Sequence, residues 1–191
     1  MKNKAKMVKK ILITGATGFV GSNLCKYLKK KGYKIRVFVR NKNKFKIDSV
    51  EVFEGDLIKK EEIKNALKGI EIAYYLAHSM KDFKDFRKIE EICAKNFSLA
   101  CSENKVKRII YLGGIIDSKA KLSKHLESRK KIGDILRESN SNVTELRASI
   151  IIGKESDSFK IIKMLVDKIS FILWPKWANS FCQPIALDDV L

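Results

Sequence analysis

The sequence predicts an α/β fold: a doubly wound parallel sheet with helices on both faces. Three observations predict it. Short runs rich in Ile, Val and Phe alternate repeatedly with stretches of helical period along the 191 residues. The first of these runs passes straight into a glycine-spaced loop and then a helix. No internal repeat and no interdomain linker interrupts the alternation, so residues 1–191 are expected to form a single domain.

Each element has its own justification. Lys10 to Thr14 is a short buried strand. In the following helix Val20, Leu24 and Leu28 recur every four residues, and Gly32 closes it. Residues 34 to 39, KIRVFV, read as the second strand. Val50 to Phe53 is the third strand, and Lys59 to Leu67 a short helix stopped by Gly69. Glu71 to Ala77 is the fourth strand. Asp82 to Asn104 is a long helix, with Phe86, Ile89, Cys93, Phe97 and Ala100 near helical spacing. RIIYLGG is the fifth strand, residues 120 to 139 a helix, and VTELRASIII a sixth extended segment. Residues 157 to 170 are helical, and PIALDDVL reads as a strand end opening a helix, with Asp188 as its N-cap.

Composition excludes several classes. The hydrophobic share of 45% is enough for a core. No run of about 18 apolar residues exists, so no membrane span is expected. The nearest approach, Phe159 to Trp174, is broken by Lys160, Lys163, Asp167 and Lys168. The apolar run after the basic N-terminus is too short for a signal peptide, and a cytoplasmic location is expected. Cys25, Cys93, Cys101 and Cys182 form no C-x-x-C, so no metal site is expected. The formal net charge is +18, from 40 basic and 22 acidic residues. The lysines are spread along the chain without a nucleic-acid-binding motif, so no nucleic-acid partner is expected. The charge would still attract a phosphorylated ligand.

The strongest local signal is ILITGATGFVGSNL. Gly15 allows a tight turn off the strand, Gly18 lets the backbone approach a pyrophosphate, and Gly21 permits close helix packing. Free N–H groups and the helix dipole then favour phosphate at the helix N-terminus. Gly15, Thr17, Gly18, Phe19, Val20 and Gly21 are thus the candidate dinucleotide contacts in the loop. The second strand ends in Arg40 rather than in a carboxylate. That favours NADP(H), whose 2′-phosphate an arginine accommodates, over NAD(H), which is also compatible with the loop. Asp56, or the adjacent Leu57 amide, is a candidate adenine contact; a plain turn aspartate is the other reading.

On these residues the chain resembles the short-chain dehydrogenase/reductase superfamily, in its atypical branch close to NAD-dependent epimerase/dehydratase proteins. The T-G-x-x-G-x-x-G loop carries the resemblance, with YYLAHSM (74–80), YLGGI (111–115), HLESRKKIGDILRE (125–138), VTELRASIIIG (143–153) and QPIALDDVL (183–191). The run SDSFKIIKMLV with Pro175 and Trp177 adds to it. The resemblance implies a Rossmann-like sheet and an NAD(P)-dependent oxidoreductase of unknown substrate. It also implies a longer relative, so a C-terminal part usual in the family is expected to be missing here.

Typical members of that superfamily use Ser, Tyr and Lys, the last two spaced Y-x-x-x-K. Here the corresponding strand ends in Gly113-Gly114, and the spaced pair reads His125-x-x-x-Arg129. The resemblance thus implies His125 as acid/base and Arg129 as an anchor for cofactor or substrate. The bland reading is two polar residues on a helix flank. Ala77, His78 and Ser79 follow the fourth strand, where ligands bind in open parallel sheets. Asn96 resembles a site-supporting helix asparagine, with a buried polar residue at a kink as its alternative. Arg147 is expected to point toward a substrate cleft, and Trp174 and Trp177 to pack. A non-catalytic dinucleotide sensor or scaffold is the competing function, because the standard Ser, Tyr and Lys are absent. An isomerase or dehydratase with bound NAD is a weaker third.

Overall fold

The computed structural model describes residues 9–78, 86–116, 123–168 and 182–191. The chain divides into two compact units, Met1–Leu146 and Arg147–Leu191.

The first unit is built on parallel strands β1 (Lys10–Thr14), β2 (Lys34–Val39), β3 (Glu51–Glu54), β4 (Ile72–Tyr75) and β5 (Arg108–Gly114), with β6 (Asn142–Ala148) completing the sheet. The order is β3-β2-β1-β4-β5-β6. Pairing is parallel from β3 through β5. Residues Ile35 to Val39 of β2 are buried without alternation. A strand reads that way only when both faces of the sheet are covered. The sequence predicts Ile35, Val37 and Val39 on one side; the covering of the other side buries Arg36 and Phe38 as well.

The helices are α1 (Phe19–Lys30), α2 (Lys60–Ala66), α3 (Phe86–Glu103) and α4 (Lys124–Arg137). Helix α1 packs on β1 and β2, while α2 packs on α3 and α3 on α4. The core beneath them includes Leu12, Ile63, Tyr75, Phe97, Ile109, Tyr111 and Leu136. Buried Arg36 ties α2 to the sheet, donating to the Lys68 carbonyl at 3.0 Å and to Glu51 at 2.6 Å. Gly32 and Gly69 take φ of +79° and +74° just beyond α1 and α2, as the sequence predicts for helix stops.

The buried face of α3 includes the predicted Phe97 and Ala100, and the predicted Cys93 packs partly buried against the core. It also takes in Glu90, Ala94, Ser98 and Cys101, while Ile92 and Leu99 are exposed. Glu90 joins this face because of what it contacts.

In the second unit, β7 (Ile151–Ile152) pairs in parallel with β8 (Ile185–Ala186). Helix α5 covers Asp157–Lys168 and α6 covers Leu187–Val190. Asp188 is not the N-cap: Ala186 holds that position, and Asp188 lies inside the first turn. A carboxylate there still complements the helix dipole, which is why the residue type was misleading. Arg147 on β6 is exposed. Ser79, Trp174 and Trp177 lie outside the described residues.

Candidate functional site

The strand order reverses between β1 and β4, and the carboxyl ends of these two strands carry the site. At the end of β1, Thr14 is fully buried, and its hydroxyl donates to the Tyr74 carbonyl at 3.1 Å and accepts from the Leu76 amide at 3.2 Å. The Ala77 amide also reaches it, at 3.4 Å. Thr14 thereby pins the β4 end against the glycine loop.

The loop is closed by a bond from the Gly18 amide to the Gly15 carbonyl, 3.0 Å long. Gly15 has φ of +69°, and a Cβ there would lie 2.4 Å from the Leu76 carbonyl oxygen. A Cβ on Gly21 would lie 2.3 Å from the Gly15 oxygen. Both positions therefore admit only glycine. Gly18 is different: its Cβ would meet only the Gly15 oxygen, at 3.3 Å. Gly18 is also the N-cap of α1, without a side-chain cap, and no acidic residue occupies the first turn. The first amides of α1, at Phe19 and Val20, thus face an open anion-favouring surface beside exposed Thr17. This cradle suits a pyrophosphate.

A cavity of about 300 Å³ lies at the ends of β2 and β3, lined by Arg40, Glu54, Gly55, Asp56, Lys59 and Glu62. Arg40 and Asp56 are thus brought together. The Asp56 carboxylate accepts from the Ile58 amide at 3.0 Å, an Asx-type turn, and the Asp56 amide donates to Glu62 at 2.8 Å. Leu57 is buried, and Asn96 of α3 donates to the Leu57 and Ile58 carbonyls at 2.9 and 2.7 Å. Asn96 is therefore a clamp on this loop. Glu54, which sequence reasoning missed, shares the cavity with Arg40 and accepts from the Lys42 amide at 3.2 Å.

At the other end of the site, His78 and His125 meet edge to face with ring centroids 4.9 Å apart. His125 lies in the first turn of α4, whose N-cap Ser123 accepts from the Leu126 amide at 3.3 Å. Packing of its ring, then His78 and Arg129, hold His125 below its ordinary value of 6.5, against a smaller opposing pull from Glu90. Arg129 donates to the Leu112 carbonyl at 3.3 Å, and the Tyr111 hydroxyl donates to the Arg129 carbonyl at 3.0 Å. Burial raises the phenols of Tyr75 and Tyr111, so both remain protonated. At the end of β5, a Cβ on Gly113 would meet Glu145 at 2.7 Å, and one on Gly114 would meet Leu126 at 2.8 Å. Both of these neighbours are the far ends of flexible side chains, which can shift at small cost.

Behind His78 stands Glu90, the second residue that sequence reasoning missed. Its carboxylate accepts from Ser128 at 2.6 Å and lies 2.7 Å from His78 Nδ1. A charged residue in phase with Ala94, Phe97 and Cys101 on a helix face was the available signal.

Fold and site together define a dinucleotide-binding α/β protein of the Rossmann type. The NAD(P)H-binding family matches residues 15–162, and the chain belongs to it. It is 28% identical over 113 residues to the 2-alkyl-3-oxoalkanoate reductase of Shewanella oneidensis, covering 56% of this chain and 29% of that protein. It is 29% identical over 105 residues to the human sterol-4-alpha-carboxylate 3-dehydrogenase, decarboxylating, covering 53% and 28%. The matches thus span under a third of these relatives' lengths. Among solved structures, WbmG of Bordetella bronchiseptica in complex with NAD aligns with a TM-score of 0.76 at 20% identity, over 99% of this chain and 68% of that one. Citrobacter sp. triphenylmethane reductase aligns at 0.64 and 25% identity, over 74% and 50%. Among the described residues no helix is long and apolar enough to cross a membrane.

Proposed function

We propose that the chain is the dinucleotide-binding part of an NADP(H)-dependent oxidoreductase acting on a small carbonyl or secondary-alcohol substrate. The observation that carries this reading is the contact of Gly15 with the Leu76 carbonyl. It sets a phosphate-binding turn directly against the strand end that carries His78. The names of the reductase and dehydrogenase relatives support the same class.

When bound, the dinucleotide supplies the hydride. The chain's own residues do the rest. The Phe19 and Val20 amides would hold the pyrophosphate where it passes Gly18, with Thr17 beside them, and Arg40 would receive the 2′-phosphate. The Asp56–Leu57 turn, with Ala77 across the loop, borders the adenosine and the path to the nicotinamide. His125, kept neutral by its surroundings, exchanges a proton with the substrate oxygen. Arg129 anchors phosphate or ribose by hydrogen bonds.

Two observations favour other readings of single features. Glu54 lines the same cavity as Arg40 and would favour the 2′-hydroxyl of NAD(H). The Arg129 bond to Leu112, which occupies one of its donors, favours a dinucleotide sensor without turnover. Fluorescence titration with NADPH and NADH is the first test. Tighter NADPH binding supports Arg40 as selector; tighter NADH binding transfers that role to Glu54; binding of neither refutes the reading.

A further inference from the structure

Glu90 is a carboxylate whose side chain is 6% exposed, on a helix face that is otherwise largely apolar. A buried carboxylate is costly unless its charge is offset and its oxygens are bonded. Two other elements do this. Ser128 of α4 donates to Oε2 at 2.6 Å, and His78 beyond β4 brings Nδ1 to 2.7 Å from Oε1. Two lone pairs at that separation would repel, so a proton lies between them. The approach is an ion-pair contact that falls short of hydrogen-bond geometry. The other ring nitrogen, Nε2, is buried and has no hydrogen-bond partner among the described residues. The ring of His125 lies edge to face with it, centroids 4.9 Å apart.

We propose that Glu90 is the positioning residue of a proton relay running Glu90–His78–His125: it keeps the His78 proton at Nδ1 and gives Nε2 to exchange with His125. The relay rests on the oxidoreductase reading above. In the reductive direction the substrate carbonyl carbon gains the hydride, and its oxygen gains a proton from His125. The C=O π bond is replaced by one C–H and one O–H bond. His125, which is exposed, recovers that proton from solvent, and Nε2 of His78 holds a proton in transit, the charge it then carries being offset by the Glu90 carboxylate. Among the described residues, the charged and titratable groups acting on His125 are His78 beyond β4, Glu90 on α3 and Arg129 on α4. Glu90 opposes the other two. Ser128 bonds the other carboxylate oxygen, Oε2.

The chain holds only two histidines, so the test needs no substrate and no cofactor. The full chain with 15N-labelled histidine gives two imidazole spin systems by NMR. The expected result is the Nδ1–H tautomer for His78 in the unmodified protein. Glu90→Gln should mix its tautomers and lower the titration midpoint of His125, because the opposing negative charge is gone. Glu90→Asp should retain part of both signatures. His78→Asn should move the His125 midpoint upward, the opposite direction. A merely structural role would move His125 the same way in both variants. An Nε2–H tautomer for His78 in the unmodified protein overturns the proposal without any variant, so it stays falsifiable if the Glu90 variants do not fold. Unchanged rings in a folded Glu90→Gln protein also overturn it. Failure of the oxidoreductase reading appears separately, as absent NADPH and NADH binding with the histidine signatures intact.

Discussion

Gly21 sits so close to Gly15 that a Cβ on the first would lie 2.3 Å from the carbonyl oxygen of the second. The helix can begin where it does only because both residues lack side chains. Gly21→Ala should therefore destabilise the fold by about 3 kcal/mol, the upper range for overpacking. Gly18→Ala meets a single atom at 3.3 Å. It should melt close to the parent yet bind NADPH at least tenfold more weakly. Thermal melts paired with fluorescence titration check this; equal melting of the two variants would contradict it.

Arg40 shares its cavity with Glu54. Arg40→Asp should weaken NADPH binding by at least about tenfold, the worth of a charge-assisted hydrogen bond, and NADH binding much less. Glu54→Gln should change the ratio in the opposite sense. Parallel losses for both cofactors in the Arg40 variant would remove Arg40 as selector.

His125 gives the stability a pH dependence of fixed sign. Its folded-state value is held below the ordinary 6.5 by packing, His78 and Arg129. As pH falls, the unfolded chain takes up this proton before the folded one. The contribution is thus complete above that ordinary value and declines as pH drops from there through the folded value. Denaturant midpoints across this window should fall for the parent and fall less for His125→Gln. An identical slope in both would place the dependence elsewhere.

Asn96 donates to two carbonyls of the β3–α2 loop. Asn96→Ala should cost about 1–2 kcal/mol by leaving those acceptors unpaired. Asn96→Asp should cost more, because a carboxylate would face two carbonyl oxygens. Urea unfolding of the three proteins gives the order, and a less stable alanine variant would reverse the argument.

The thiols should separate by accessibility. Burial pushes Cys25 up to about 12 and Cys93 up to about 11, and Cys101 higher still. Cys182 is exposed. An aromatic disulfide reagent at about pH 8 should modify Cys182 first in the native chain, and the other three only on unfolding. Rapid native modification of Cys101 would contradict the packing of α3.

The order of elements was legible because elements carry local signatures: the Gly15–Gly21 loop, the stop at Gly32, the apolar residues of β2. The site was legible only where spacing reports it. His125 and Arg129 share a helix turn, and His78 follows a strand. Glu90 was hidden because its meaning depends on His78 and Ser128, which are distant in sequence. Glu54 was hidden for a similar reason: it lies across the sheet from Arg40, not beside it in the chain. Asp188 misled because a carboxylate suits the N-cap and the first turn alike.

Helix α3 carries both Asn96, which holds the β3–α2 loop, and Glu90, which meets His78. Six residues of helix separate them, a rise of about 9 Å. The helix therefore works as a ruler with two marks. A slide along its axis cannot alter one without carrying the other. The spacing between the β3–α2 loop and His78 is thus set by one stiff rod, not by the loops at either end.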